Sequence, residues 1–341
     1  MKQLHATSCP FLSQQVQLAN SGQDLLVETD DIVLSFGGSS ARLLRDTRLL
    51  LSGMERLDRI AARTATSVAE LGPVLDVLAS EHLLIDAAAM EEASELDSFM
   101  DAYFHECEFW AREIVSRPFW RTVLAGEADA AVILGWGIEF FHFVSAANEH
   151  MAFSVSSCRD NPHVRGLLAN HYLEESHHGD LFLTGLAGVG LDPEQVKSAP
   201  PLASTMALID HLNELAMSDL MAYASVFGVM QQSRAPKSSD AINKFFSLLI
   251  DRYPFAESML SAFCQHARMD VNLDHNELTF EKLCARRWMF SREEKKNIAM
   301  AVRSIAEHFF LFFEGIEDYY GGESVSIPRR RFDIRTLIQC S

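Results

Sequence analysis

The sequence predicts an all-α helical bundle that follows a small α+β domain. From about residue 99 onward, long segments carry apolar residues at helical spacing, and short joints with glycine or proline separate them. Before residue 40 a short segment of strand-forming residues is instead typical of a β-hairpin. The chain has 341 residues, of which 48% are apolar, so it is long enough for one large domain or two.

The first 90 residues predict a winged-helix-like domain. Residues 25–36, LLVETDDIVLSF, are typical of two short strands joined by a turn at the paired aspartates. Three short helices follow, the first expected after a cap at Ser39 or Ser40 and the third after a cap at Thr66 or Ser67. The run HLLID at the end of the third helix predicts a further small strand.

Residues 22–87 also resemble a known kind of recognition domain, through the frame LLLSGMERLDRIAART…VAELGPVLDVLASEHLLID. This frame is similar to the PqqD-like domains of ribosomal-peptide biosynthesis, which bind a leader peptide as an added strand at the hairpin edge. The resemblance therefore implies a peptide partner for residues 22–87. A helical cap or a dimerisation module would also suit a winged helix.

Residues 91–325 predict the helical bundle. One long apolar helix is expected over residues 129–157, and another begins after Asn161-Pro162 and ends at a glycine. A later helix is expected to break near Ser218-Asp219, and the last one begins with Ser291 as its cap. About seven helices of this length with short joints form an all-α domain. Residues 326–341 are expected to be a basic, irregular tail.

Charge and cysteine usage exclude several functional classes. The net charge of −18 argues against nucleic acid or an anionic membrane as a partner. The six cysteines are scattered without a CxxC pair, which suits a reducing compartment. The first residues have no apolar core typical of a signal peptide, and no uninterrupted apolar run approaches 18 residues. We therefore expect a cytoplasmic protein without a membrane span.

Metal-capable side chains occupy helix faces that would otherwise be apolar. His171, Glu175 and His178 follow one another at steps of four and three in ANHYLEESHHGDLF, so they share one face of a helix. His266 and Asp270 share a face of a second helix in the same way. Carboxylate and imidazole groups suit iron, manganese or zinc, and helical bundles build such sites from inward residues of facing helices.

Other interpretations of these residues stay open. A buried Glu–His pair on one helix can be a satisfied, hydrogen-bonded core pair. Glu174 and His177 lie on a neighbouring face and would be the ligands if the helix were rotated by one residue. Glu139 and His142 repeat the Glu-x2-His spacing, and we interpret them as polar residues of the core or of a pocket wall.

Four stretches of the chain, in order, resemble the heme-oxygenase-like fold in its TenA and PqqC branch. They are REIVSRPFWRTVLAGEADAAVILGWGIEFFHF, HYLEESHHGDLFLTGLAGVGLDP, FCQHARMD and FFLFFEGIEDYY. The resemblance covers about residues 99–320. One group within this fold comprises diiron oxidases and oxygenases, whose ligands are Glu and His on one helix, Glu on the next, and a final His-x3-Asp-x2-His.

Four positions of this sequence match that ligand pattern. Glu175 and His178 match the first pair, and His266 and Asp270 match His-x3-Asp. The resemblance therefore implies that these four residues are catalytic and bind the metal.

Two positions depart from the pattern. The middle glutamate is expected near the end of residues 223–232, where Gln231 and Gln232 stand, and the last histidine is replaced by Leu273. The resemblance then leaves three arrangements: one iron held by the four matching residues, two metals with Asp274 or Glu174 as substitute ligands, or no metal.

The resemblance implies a non-heme iron enzyme that uses Fe(II), mononuclear or dinuclear, with O2 as co-substrate. The substrate would be a small molecule or would be carried on a peptide in natural-product biosynthesis, and a homodimer is compatible with the fold. Two alternatives remain: a cofactor-free PqqC-like oxidase that uses the same histidines for acid–base work, and a non-catalytic peptide-binding scaffold with a degenerate site.

Overall fold

The structure is a computed structural model that describes residues 3–22, 24–159, 161–231, 238–272, 279–285, 287 and 289–322. Its helices and few short strands confirm an all-α bundle with a small N-terminal α+β part. Two compact units divide the chain, one of residues 1–116 with 288–299 and one of residues 117–287 with 300–341. The boundary expected at residue 90 stays a prediction, and the tail 326–341 lies outside the described residues.

Two antiparallel sheets form in the first unit. The strands are β1 (Pro10–Leu12), β2 (Gln17–Ser21), β3 (Asp24–Glu28), β4 (Val33–Phe36) and β5 (Leu84–Asp86). One sheet has the order β2-β3-β4, and β1 pairs with β5 in the other. The predicted hairpin is confirmed as β3 and β4, and the predicted small strand as β5. Strands β1 and β2 are short and weakly patterned, and their residues did not predict them.

The described part of the first unit also contains five helices and the beginning of the last helix of the chain. The five are α1 (Gly38–Thr47), α2 (Leu57–Arg63), α3 (Val68–Ser80), α4 (Ala89–Glu92) and α5 (Leu96–Val115). The predicted cap at Ser67 is confirmed, since its side chain accepts a hydrogen bond from the backbone N–H of Glu70. The predicted serine cap of α1 is wrong. Gly38 has φ +55°, and this glycine turn leads directly from β4 into the helix.

The second unit is helical throughout its described residues. Its helices are α6 (Pro118–Ala125), α7 (Ala130–Ser145), α8 (Ala147–Ser157), α9 (Pro162–Glu175), α10 (His178–Gly188), α11 (Pro193–Ser198), α12 (Ala203–Ser218), α13 (Leu220–Ser225), α14 (Phe227–Gln231), α15 (Ser239–Arg252), α16 (Glu257–Asn272), α17 (Thr279–Cys284) and α18 (Arg292–Ile316). Residues of α18 before 300 belong to the first unit.

Two expected long helices are interrupted. The helix expected over 129–157 divides into α7 and α8 at Ala146, and the helix expected after Pro162 divides into α9 and α10 at Ser176 and His177. The Ser176 hydroxyl donates to the carbonyl of Leu173, a local bond that competes with the helical pattern. The predicted break near Ser218 is confirmed, because Asp219 caps α13 through the N–H groups of its next turn.

Helix α7 lies in the core of the second unit. Most of its side chains are buried, including Trp136, Ile138 and Glu139. By length and composition, residues Ala130–Ser157 are apolar enough to cross a membrane, but 72% of their apolar window is buried inside the protein. That burial is typical of a core helix, so the segment is weak evidence for a membrane span.

Candidate metal centre

Glu175, His178 and His266 come together in the second unit. One ligand atom from each side chain lies within 4.8 Å of the others. Glu175 and His178 are buried, and His266 is half-buried. Among the residues that the structure describes, this is the one group of three or more His, Cys, Asp or Glu side chains with that spacing.

The three side chains come from the end of α9, the start of α10 and the middle of α16. Glu175 is the last residue of α9, and His178 is the first residue of α10, so the short turn between them places both groups at one junction. Oε2 of Glu175 lies 2.6 Å from Nδ1 of His178. Helix α16 packs along α10 and brings the ring of His266 to 4.6 Å from the ring of His178, measured between centroids.

The carboxyl group of Glu175 is held in its ionised form. Burial alone would raise its pKa, but a hydrogen bond from His178 and the charges of His178, His171 and His266 lower the pKa below its usual range. Nε2 of His171 lies 3.9 Å from Oε1 of Glu175, one helical turn away on α9. An ionised carboxylate between imidazoles is in the protonation state that metal binding requires.

A buried polar pair lies near the same face of the bundle. The hydroxyl of Tyr223 and Nδ1 of His150 are 2.7 Å apart and hydrogen-bonded. Burial lowers the pKa of His150 to about 3, against a smaller upward effect of Glu175, and burial raises the pKa of Tyr223 above its ordinary value. Both groups are therefore neutral at pH 7. The sequence pattern did not single out His150, although this residue lies on the buried stripe of α8.

Aromatic side chains surround the histidines. The ring of Phe182 lies 5.1 Å from that of His266, and the ring of Phe227 lies 4.9 Å from that of His171. Phe263 packs against Phe182 at 4.9 Å and against Phe140 at 4.7 Å. This wall limits the access of water to the carboxylate and the imidazoles, which strengthens their electrostatic interactions.

The other expected ligands have different positions. The side chain of Glu174 is exposed, because successive helical residues differ by about 100° and Glu175 points inward. His177 is also exposed, in the turn between α9 and α10. The backbone of Asp270 belongs to α16, but its side chain is outside the described part of the structure. Asp274 lies entirely outside the described residues.

The segment expected to supply the middle glutamate, near the end of residues 223–232, corresponds to α13 and α14. Tyr223 bonds to His150, Phe227 packs on His171, and Gln231 ends α14 one turn later. Gln232 and Leu273 lie outside the described residues. No carboxylate for a second metal is therefore found among the described residues of α13 and α14.

Glu139 has partners of its own. Its Oε2 accepts hydrogen bonds from the N–H of Leu202 at 2.8 Å and from the hydroxyl of Thr205 at 2.7 Å. Its Oε1 accepts one from the hydroxyl of Tyr320 at 2.9 Å. These three bonds make the fully buried Glu139 a structural residue that ties α7 to the start of α12 and to the end of the bundle.

The donor set fits an iron ion. One carboxylate and two imidazoles are the donors of the facial triad that holds Fe(II) in many non-heme enzymes and leaves open positions for other ligands. Donors at about 2.1 Å from one ion lie about 3 to 4 Å apart. The ligand atoms of the three side chains lie within 4.8 Å of one another, so each distance must shorten by less than about 2 Å for the three to bind one ion.

The family described as iron-containing redox enzyme matches residues 134–308, just over half of the chain. The chain therefore belongs to this family. The match includes Glu175, His178 and His266. No match is found among the curated proteins.

The chain is similar to solved structures at low sequence identity. A domain of unknown function with a heme oxygenase-like fold from Shewanella denitrificans OS217 is 18% identical, with a TM-score of 0.56, over 65% of this chain and 93% of that chain. A TenA homolog from Pseudomonas syringae pv. tomato DC3000 is 14% identical, with a TM-score of 0.48, over 65% of this chain and 95% of that chain. The first likeness confirms the heme-oxygenase-like fold.

Proposed function

We propose that the protein is a non-heme iron, O2-dependent oxidase or oxygenase that modifies an amino-acid or peptide-borne substrate in natural-product biosynthesis. The observation that supports this most is the meeting of Glu175, His178 and His266 within 4.8 Å, in a chain of an iron-containing redox family. Fe(II) bound by these three groups would supply the redox chemistry that O2-dependent oxidation needs.

The protein's own groups would hold the ion and set its surroundings. Glu175 offers an ionised carboxylate, and His178 and His266 offer imidazole nitrogens. Nε2 of His171 lies 3.9 Å from the other oxygen of Glu175, beyond hydrogen-bond distance, and its charge helps to lower the pKa of that carboxyl group. The aromatic wall around the histidines would keep water away from the reacting groups and favour an apolar or aromatic part of the substrate.

The buried pair His150–Tyr223 can hold a proton close to this site. Because both groups are neutral at pH 7, the single shared proton lies between the Tyr223 hydroxyl and Nδ1 of His150. The neutral pair carries one further hydrogen, on Nε2 of His150 or on the Tyr223 hydroxyl depending on the tautomer, and this hydrogen would be the one donated to a bound substrate.

A mononuclear centre is the arrangement that the described donors support. Three protein donors suffice for one Fe(II) ion, whereas a diiron site needs about six. Within the described residues the face of α13 and α14 adds no carboxylate.

Anaerobic Fe(II) loading followed by measurement of iron per chain tests the proposal. We expect one iron in the wild type and loss of iron in His266→Ala. His177→Ala is the matched control, because this exposed neighbour of His178 lies outside the donor group, and it should keep the iron. No tightly held iron in the wild type would overturn the proposal and favour a cofactor-free oxidase or a non-catalytic scaffold.

A peptide partner for residues 22–87 is part of the proposal. Strand β4 is an edge of the three-stranded sheet, and Val33 at its start is 65% exposed. An edge strand offers backbone groups to an added peptide strand. Titration of the full chain with candidate precursor peptides should show micromolar binding that Val33→Asp removes. Val115→Asp, another exposed valine outside residues 22–87, should leave binding intact. Equal binding by both variants would argue against the β4 edge.

A further inference from the structure

A cavity of about 470 Å³ lies in the second unit at the beginning of α9. Its described lining comes from the loop after α8, the first turns of α9 and α13, and α17 with the residues after it. Three cationic side chains line it, namely Arg159, Lys282 and Arg287, together with His163. None of the described lining residues is Asp or Glu.

This charge distribution contrasts with the rest of the protein. The chain has 47 acidic and 29 basic residues, so a cavity with several cations and no acid is against the overall trend. Arg159 and Lys282 make no ion pair within the described part of the chain. Cations that share a cavity repel one another, and an anion bound between them would relieve that repulsion.

The local backbone adds to the positive potential. The side-chain oxygen of Asn161 accepts a hydrogen bond from the N–H of Val164, and Pro162 occupies the first position of α9. The first turn of this 14-residue helix has no acidic side chain. The positive end of the helix dipole therefore points to the cavity, and no carboxylate in the first turn neutralises it. The dipole adds to the positive potential of the three cations.

We propose that this cavity binds the oxyanion group, phosphate or carboxylate, of a small molecule. An arginine guanidinium binds two oxygens of such a group side by side, and a lysine ammonium adds a point charge. Val164, Leu167, Leu220, Met221 and Leu283 supply an apolar wall for the remainder of the ligand. The volume is in the range of small-molecule sites.

The anion site is separate from the candidate metal centre. The cavity lies at the first turn of α9 and Glu175 is its last residue, so about 20 Å of helix separates them at 1.5 Å per residue. An anion at Arg159 or Lys282 would not touch the metal donors. The inference therefore stands independently of the proposed iron chemistry, and iron-free protein serves to test it.

Calorimetric titration of the full chain with inorganic phosphate, and separately with acetate, tests the site. We expect saturable binding of at least one anion by the wild type and about tenfold weaker binding by Lys282→Gln, which corresponds to about 1.4 kcal/mol. Lys244→Gln is the matched control, because it removes the same charge from an exposed position on α15 outside the cavity.

The two anions distinguish the source of the oxyanion. Tighter binding of phosphate assigns a phosphorylated ligand, and tighter binding of acetate assigns a carboxylate ligand. Arg159→Gln repeats the test at an exposed residue, in case Lys282→Gln does not fold by circular dichroism. Absence of saturable binding of either anion, or equal weakening by Lys244→Gln, would overturn the proposal.

Discussion

Substitution of Gly185 by alanine should disturb the candidate metal centre from a distance. Gly185 lies on α10, two turns after His178, where this helix packs against α16. A Cβ atom at Gly185 would lie 2.8 Å from Cβ of Ala262, 3.1 Å from Cα of Met259 and 3.1 Å from the carbonyl oxygen of Ser258. All three atoms belong to α16 or are fixed to its backbone, so no change of side-chain rotamer removes the overlap.

The size of the effect follows from these distances. Carbon atoms in contact prefer about 3.5–4.0 Å, so α10 and α16 must separate locally by about 1 Å. Overpacking of this kind costs about 1–3 kcal/mol, whereas the better helix propensity of alanine returns about 1 kcal/mol. We expect a net loss of about 1 kcal/mol of unfolding free energy. Because His178 and His266 lie on the two separated helices, the affinity for Fe(II) should fall about tenfold or more.

Urea denaturation and anaerobic Fe(II) titration measure both effects. Gly166→Ala is the control, because a Cβ atom there meets no other atom within 4 Å and the residue lies on α9, the helix that carries Glu175. The control should gain up to about 1 kcal/mol from helix propensity and keep its iron affinity. If Gly185→Ala matched the control in stability and the wild type in iron affinity, close packing of α10 and α16 would not position the donors.

Two further predictions concern the buried polar groups. Glu139→Leu leaves three buried donors without an acceptor. The unfolding free energy, measured by urea denaturation, should therefore fall by about 3–5 kcal/mol. A loss below about 1 kcal/mol would contradict the structural role of these bonds. Burial of His150, with a smaller effect of His171, lowers the pKa of His150 in the folded protein from 6.5 to about 3. Below pH 6.5 the unfolded chain therefore binds a proton at His150 that the folded protein does not bind. Stability should therefore fall as the pH decreases from 6.5 towards 3, by on the order of 2 kcal/mol at pH 5. His150→Gln should flatten this dependence between pH 7 and pH 5, and a slope as steep as that of the exposed control His163→Gln would disprove the assignment.

Several local features were predictable because they depend on neighbouring residues only. The capping box at Ser67, the hairpin of β3 and β4, and the break before Asp219 all follow from side chains within a few positions of the feature. The interruption at Ser176 and His177 was not predicted, since the apolar spacing continues through it. The Ser176–Leu173 bond and the packing of α9 on α8 and of α10 on α16 accompany the turn of the backbone there.

Residues whose role depends on distant partners were harder to interpret. His150 has no local signal beyond its place on a buried stripe, and its partner Tyr223 is remote in sequence. Glu139 shares the Glu-x2-His spacing of Glu175 and His178, yet its carboxylate bonds to Leu202, Thr205 and Tyr320. Glu139 and His142 lie on one helix, whereas Glu175 and His178 lie on either side of the break between α9 and α10, so the spacing alone does not predict what the side chains meet.

The sequence by itself determined the fold class and the donor types on each helix. Apolar spacing and capping depend on interactions within one or two turns, so the helices and the common face of His171 and Glu175 follow from the order of residues. Only the tertiary structure decided that α10 and α16 approach closely enough for His178 and His266 to meet, and that Arg159 and Lys282 line one cavity. Residues far apart in the chain become neighbours through the packing of whole helices, and that packing depends on the complementary shape of many side chains together.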